Sequence, residues 1–574
     1  MDVTAGSWVV AGGVGERAVV DRPLAGVVVR TRGGSLALRV AVERLRALGC
    51  EVGADGTPPP AGAPAGWLGV AAAPFGGPGE ALPECGISWS GPVGVPMANE
   101  RDVQAACGIA HVHGRASGRP RALRLDYASV CAGVLTAQAL TAALLALLRG
   151  GTALAVRTSV AQAALLALTQ YLAVATGERS DPPFPRAARE GHGRPPFRAA
   201  DGVWFEVETF EAERWLRFWA VLGAGSRAVA VGWPAFQQRF ATATCVLPSE
   251  LVDVAAAVRF PDVVAAGAEC GVSVLPVRAA DAPLVPAPAS PWRLRGLSGV
   301  AGPALPPLAR NVRRPLAGLL VVESTNRVQG PLAGHVLGLL GADVVRLEPP
   351  GGDPLRGVPP MAGPTSARFL ALNRGKRALE ADLKSGAGRR AALRLVADAH
   401  VFLHNWPPGR AGAYGLDHDD LAPVRPSLVY AQAGGWAEAL PPPQPMGTDY
   451  LVQAYSGVAA LLAGPGEVAA PSLMTLTDVL GALISAEAVV AALVARARTG
   501  TGVRAETALI DAARLLRATA APAAAGPLNA VTVTDLAVMA HDPAFADVLD
   551  HTPHAVYSRA PWTFAPAAHP EEAP

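Results

Sequence analysis

Two aspartates stand just ahead of long Ala/Leu-rich stretches: Asp126 before residues 128–148, and Asp478 before residues 479–495. A carboxylate in that place can cap its helix by accepting the free N–H groups of the first turn. Alternatively, the same N–H groups hold a reactive carboxylate, or an oxyanion that develops beside it. Asp478 lies 22 residues before Gly500, about six helical turns. A second constellation is basic: Arg374, Lys376 and Arg377 follow Leu372 and Asn373. Such cations neutralise phosphates, although an exposed basic loop gives the same pattern. Gly12-Gly13-Val14-Gly15 lacks the preceding strand and the spacing of a dinucleotide turn, and the sequence has no P-loop, HExxH or GxSxG.

The elements that position these residues come from a chain of 574 residues, half of them hydrophobic, with 49 Lys+Arg against 47 Asp+Glu. That length predicts three or four folding units. The near-neutral balance gives no general field for nucleic acid or an anionic membrane, so an anion must be met locally. The segment 128–148 is long enough for a membrane span but carries Thr136, Gln138 and Thr141, and its later counterpart carries Glu487; both read as buried core helices. Six cysteines without a CxxC spacing read as reduced, packed thiols, as in a cytoplasm. The opening MDVTAGSWVV has no basic region of a signal peptide.

The sequence repeats itself. Pro23-Leu24-Ala25-Gly26 returns as Pro315-Leu316-Ala317-Gly318, and Gly49 returns as Gly341, both 292 residues on. Each stretch reads as strand, helix, glycine turn, strand. Val103-Gln104-Ala105 returns as Val452-Gln453-Ala454, and Thr158–Ala164 as Thr507–Ala513, at an offset of 349. The offset grows by 57, so the second copy holds a segment between Gly341 and Gln453 that the first lacks. After Ala164 the first copy holds about 120 residues, including Asp201-Gly202-Val203-Trp204, without a counterpart in the second. Even Ser290-Pro291-Trp292 echoes in Ala560-Pro561-Trp562. The expected division is a degenerate large domain over 1–183, a small α+β domain over 184–285, a linking segment over 286–314, and a complete large domain with a shortened tail over 315–574.

The second copy resembles the class III CoA-transferases, a family that includes formyl-CoA transferase, carnitine CoA-transferase and α-methylacyl-CoA racemase. The resemblance is carried, in order, by PLAGLLVVEST (315–325), RVQGP (327–331), LGADVVRLEPPGGDPLR (340–356), LNRGKRALEADLKS (372–385), NWPPG (405–409), PSLVYAQAGGW (426–436), GTDYLVQAYSG (447–457) and RARTGTGVRAETALIDAA (496–513). The first copy resembles it more weakly, through DGVWFEV (201–207) and GVSVLPV (271–277). In that family two protomers interlock like chain links. The resemblance therefore implies an α/β protein of two Rossmann-like large domains and one small α+β domain, arranged as an intrachain pseudo-dimer, whether monomeric or homodimeric in solution. It also implies an acyl-CoA enzyme acting on an acyl-CoA and a carboxylic acid; the Ala/Gly/Pro/Arg-heavy usage points to a bacterial source and the cysteines to a cytoplasmic one. No nucleic acid, membrane, metal or cofactor beyond the coenzyme A thioester is called for.

By the same resemblance Asp478 is the catalytic carboxylate. A carboxylate is a weak nucleophile, but a thioester is an activated acyl donor. Coenzyme A would lie along Val328, Gln329, Leu372, Arg374, Lys376, Asn405, Trp406, Tyr414 and Gly435. Asp126 reads as a cap or a second, silent site. Two arginines that the family commonly shows are replaced by Pro407 and Ala413, with Arg410 nearby as a shifted substitute. Where the racemase branch has His before the Asp of its GxD motif, this chain has Thr448, which disfavours two-base proton exchange. His335 and His404 read as packed residues. Two other readings stay open: another acyl-CoA reaction (isomerisation, dehydration or epimerisation), and a non-catalytic acyl-CoA-binding scaffold. The site needs a small domain that the second copy lacks, so the first copy must complete it, around Asp201–Trp219 and Gly232–Phe236.

Overall fold

The computed structural model describes residues 16–75, 81–178, 192–285, 290–297, 301–520, 528 and 531–567. Gly12–Gly15 and the expected boundary at 183/184 lie outside the described residues. The strands that matter, in chain order, are β1 (Val28–Arg32), β2 (Glu51–Ala54), β3 (Gly66–Ala72), β4 (Glu84–Ser88), β5 (Leu154–Ser159), β6 (Phe197–Arg198), β7 (Trp204–Glu208), β8 (Ser273–Pro276), β9 (Arg293–Gly296), β10 (Leu320–Ser324), β11 (Asp343–Glu348), β12 (Arg377–Glu380), β13 (Val401–His404), β14 (Val429–Gly434), β15 (Val503–Ala508) and β16 (Trp562–Pro566). The helices are α1 (Leu36–Ala47), α2 (Glu100–Ala106), α3 (Tyr127–Leu148), α4 (Thr169–Thr176), α5 (Gln329–Leu339), α6 (Ala367–Asn373), α7 (Asp449–Ser456) and α8 (Leu476–Thr499).

The second half forms a seven-stranded sheet ordered β9-β15-β14-β13-β10-β11-β12. All its pairings are parallel except β9 on β15. A row of valines crosses five strands in register: Val344, Val321, Val401, Val429 and Val503. Sheets covered on both faces select such β-branched runs. The chain leaves β10 toward β11 on one side and returns to β13 on the other. The carboxyl ends of β10 and β13 therefore mark a topological switch point, where α/β sheets open a ligand crevice.

The first half repeats this order as β2-β1-β3-β4-β5-β16, with one inversion. β3 takes the place of β13 but runs antiparallel to both its neighbours. Only residues 55–65, without a helix, connect β2 to β3, and a parallel crossover needs a dozen or more residues, usually with a helix. The missing 57-residue segment thus reverses the strand and removes the switch-point crevice from this half.

The halves exchange edge strands. β9, from the expected linking segment, completes the second sheet, and β16, near the C-terminal end, completes the first. Within the expected linker and return segment 286–314, residues 293–296 form an edge strand of the second sheet. The echoing tryptophans enter these strands. Trp562 donates through Nε1 to the Leu135 carbonyl at 3.0 Å, and the Arg44 guanidinium lies 4.8 Å from the Trp292 ring centroid.

At the centre α3 packs on α8. Both helices are apolar all round, as buried helices are, and both are enclosed by protein. The repeated PLAG turns are read by arginines of the opposite half. Arg149 donates to the carbonyls of Pro315 and Ala317 at 2.8 and 2.7 Å. Arg498 donates to those of Pro23 and Ala25 at 2.7 and 3.2 Å. Arg44 of α1 also meets Glu487 of α8 in a buried, bidentate ion pair. Replacing Arg44 by Met is expected to cost about 3–5 kcal/mol in urea unfolding, because Glu487 is left charged and unpaired; adding Glu487→Leu should restore most of it.

The small domain, ordered β8-β7-β6, packs Trp215, Trp219, Phe197, Phe205, Phe218 and Phe236 into its own core. It docks on α7. Arg239, paired with Glu206 and Glu208, sets its guanidinium 4.5 Å from the Tyr450 ring centroid. Arg278 N–H donates to the Ala454 carbonyl at 3.0 Å. All six cysteines are buried and free.

Candidate active site

Asp478 lies in the first turn of α8, partly buried, and is not the cap of its helix. The capping work falls to Asp449, from the start of α7. One Asp449 oxygen accepts Thr477 N–H at 2.6 Å, Thr477 Oγ1 at 2.7 Å and Asp478 N–H at 3.1 Å. The other accepts Gln453 Nε2 at 2.5 Å. Gln453 is itself fixed by the backbone of Ser472. The Asp478 carboxylate accepts no hydrogen bond among the described residues. A helix start held by a neighbouring acid thus leaves its own acid unspent.

Three parts of the chain set the field at Asp478. Burial pushes its carboxyl well above the usual range, and the charges of Asp449 and of Glu208 on β7 add to this; Arg327 and Arg368 oppose it. Arg327 sits in the loop after β10 with a left-handed φ of 65° and lies against the Phe210 ring of the small domain. That loop is pinned across the switch point by Asn405, which accepts from Asn326 N–H at 3.0 Å and donates to its carbonyl at 2.8 Å. Arg368, on α6, donates to Gln170 Oε1 of the first half at 2.6 Å, and Gln170 Nε2 donates to Thr475 Oγ1 at 3.0 Å, just before α8. Asp449 itself is pushed up to about 6, chiefly by burial.

The structure brings some sequence-expected residues here and sends others elsewhere. Gln329 is brought in: its amide donates to Gly434 O at 3.3 Å, and a Cβ on Gly481, one turn beyond Asp478, would sit 3.2 Å from it. Tyr414 and Asn405 stay partly accessible beside the crevice. Lys376 is a correction. Its ammonium is buried against Glu323, Asn373 Oδ1 and the Pro331 carbonyl, so it has no arm for a phosphate. Burial pulls it down to about 8, with Glu323 opposing. Arg374 is likewise committed, to the Ser558 and Ala371 carbonyls and the Tyr557 ring. Leu372 and Val328 are core residues. Trp406 is 8% exposed and packs edge-on against Tyr414 rather than offering a free face. Gly435 closes against Gly447, where a Cβ would come within 2.4 Å of backbone. Phe236 lies in the small-domain core with Trp233 and Ala235 packed against it; within Asp201–Trp219, Glu208 and Phe210 reach the site. His335 and His404 are buried, and His404 Nε2 meets Tyr430 Oη at 2.8 Å.

Asp126 is also corrected. It is exposed and makes no cap hydrogen bond. The true counterpart of Asp478, 349 residues back, is Ser129. Glu100 holds the N–H groups of Ala128 and Ser129 at 2.9 and 2.7 Å, as Asp449 holds those of Thr477 and Asp478. Gln104 stands where Gln453 does. Ser129 Oγ is spent on Glu100 at 2.6 Å. The first half thus has serine at the position of Asp478 and a reversed strand at the crevice. Asp126→Asn is expected to leave any activity of the chain within twofold in steady-state assays.

The chain matches the signature of the family described as "CoA-transferase family III" over residues 89–286 and 316–537. The two segments take in well over half of the protein. This protein belongs to CoA-transferase family III. A succinate–glutarate CoA-transferase of Agrobacterium fabrum is 34% identical over 209 residues, 35% of this chain and 52% of that protein. An acetyl-CoA:oxalate CoA-transferase of Acetobacter aceti is 33% identical over 199 residues, 34% of this chain and 51% of that protein. Among solved structures, a CAIB/BAIF family protein from Brucella suis is 34% identical, with 35% of this chain and 55% of that one covered and a TM-score of 0.33. The chain thus spans about half the length of the relatives it matches.

Proposed function

We propose that this family member transfers coenzyme A from an acyl-CoA to a free carboxylic acid through covalent intermediates on Asp478. The observation that carries the reading is the division of labour at α8: Asp449 takes the helix-start hydrogen bonds, and the Asp478 carboxylate is left free beside them. Relatives named for succinate–glutarate and acetyl-CoA:oxalate transfer support the reaction class.

The steps balance without an external proton or electron. An Asp478 oxygen attacks the thioester carbonyl; the new O–C bond forms, C–S breaks, and CoA thiolate leaves. The thiolate then attacks Cγ of Asp478 in the mixed anhydride, forming the aspartyl thioester and releasing the first acid as its carboxylate. The acceptor carboxylate attacks Cγ in turn and expels thiolate. The thiolate attacks the acceptor's acyl carbon, which yields the new acyl-CoA and restores Asp478. The helix dipole of α8, positive at this end, favours negative charge that develops beside Asp478. Histidine-driven proton exchange finds no support, because His335 and His404 are packed and held neutral by burial.

The test incubates the protein with a labelled acyl-CoA and a free acid, then adds hydroxylamine. A hydroxamate on the peptide carrying Asp478, absent from Asp478→Asn, is the expected result. Transfer at equal rates by both proteins would overturn the proposal.

A further inference from the structure

Three buried guanidiniums are neutralised by carboxylates: Arg44 by Glu487, Arg239 by Glu206 and Glu208, Arg346 by Glu323, Glu348 and Asp353. Arg149 and Arg496 are buried too and donate to backbone carbonyls instead. Arg368 is a third without a carboxylate, and it is the one bridged through Gln170 to the start of the turn that carries Asp478. It is 1% exposed, yet it hydrogen-bonds to no carboxylate among the described residues. Its Nη2 donates to Gln170 Oε1 and to the Phe240 carbonyl at 3.1 Å, its plane lies 4.3 Å from the Phe240 ring centroid, and its Nη1 is buried without a partner. A buried charge with an orphaned donor is costly unless something satisfies it. Thr475, at the other end of the Gln170 bridge, leads directly into the turn of α8 that carries Asp478.

We infer that Arg368 is the specificity residue of this site, holding the non-reacting carboxylate of a dicarboxylic acid substrate. The inference rests on the transferase reading above and names its substrate class. Its logic is charge balance through the reaction. Asp478 is the carboxylate whose charge Arg368 feels, but that charge vanishes in both the anhydride and the thioester stage. The reacting carboxylate of the acceptor loses its charge too. A second carboxylate keeps its charge at every step, so it alone compensates the buried guanidinium throughout. Arginine suits the task, being permanently charged and forked for bidentate carboxylate binding.

The experiment titrates glutarate and pentanoate, acids of equal chain length, into wild type, Asp478→Asn, Arg368→Gln and Arg368→Lys by calorimetry, and compares both acids as acceptors in turnover. Glutarate is expected to bind wild type and Asp478→Asn at least about tenfold more tightly than pentanoate, a difference of about 1.4 kcal/mol. Arg368→Gln should erase the difference and Arg368→Lys should keep part of it, with thermal melts confirming folded protein; if the Gln variant does not fold, the wild-type difference and its reduction in the Lys variant decide. Equal binding of the two acids by wild type overturns the inference. So does an Arg368→Gln variant that slows both acids by one factor, which would make Arg368 a structural support while transfer itself stands. A glutarate preference without any transfer would instead keep the subsite and sink the transferase reading.

Discussion

Asp478→Asn is expected to lower CoA transfer by on the order of 10⁴-fold or more, the scale at which a covalent nucleophile is lost, and to make the protein more stable at neutral pH. The second effect follows from linkage. Burial and Asp449 raise the Asp478 carboxyl in the fold above its ordinary value near about 3.9. Below that value the acid is protonated in both folded and unfolded chains and carries no penalty. As pH climbs from there to the folded value, the unfolded chain releases its proton first, and the fold loses stability. Asparagine keeps the shape and removes that loss. The variant should therefore melt higher than wild type by about 1–2 °C at pH 8, and the gap should close near pH 4. The same protonation gives the activity an acid limb: transfer rises with pH as Asp478 ionises. A variant equally active, or less stable than wild type at pH 8, would contradict the assignment. Such a trade between stability and reactivity is common at active sites.

How much of this was legible depends on whether a residue's partner lies near it in sequence. The tandem repeat and the stretch of the first copy without a counterpart could be read from spacing; the weight on Asp478 comes from the family resemblance around it. The reason for the PLAG turns could not be read, since the arginines that bind them come from the opposite half. The basic run at 374–377 looked like a phosphate site because sequence shows cations, not their counterions; Glu323, 53 residues from Lys376, claims that ammonium. Asp126 drew attention by its charge, whereas a constant offset of 349 already pointed to Ser129. The reversal of β3 was implicit in the short helix-free stretch before it, yet only strand pairing displays it. Arg368 escaped notice because nothing local distinguishes it from any helix arginine. Its isolation from carboxylates appears only when α4, α6 and α8 are brought together.

Asp449 should carry the second largest effect, and two substitutions separate its two roles. Asp449→Ala leaves the N–H groups of Thr477 and Asp478 and the Thr477 hydroxyl without their acceptor inside the protein, and takes one of two acceptors from the Gln453 amide. Each buried, unsatisfied group costs about 1–3 kcal/mol, and relaxation recovers part of the total, so a loss of about 3 kcal/mol in denaturant unfolding is expected. Transfer should fall by about 100-fold, because a small displacement of the reacting group costs that much. Asp449→Asn keeps an acceptor for the helix start but turns an amide toward the Gln453 amide, and should destabilise by about 1–2 kcal/mol. Its informative result is the pH profile. Asp449 is one of the charges holding the Asp478 carboxyl up. Removing that charge lowers the Asp478 pKa, so the acid limb of kcat/KM should move to lower pH. A purely structural role for Asp449 predicts a lower plateau with the limb in place. An unmoved limb in Asp449→Asn would mean that burial and the other neighbouring charges set the Asp478 pKa, and that Asp449 only positions that carboxylate.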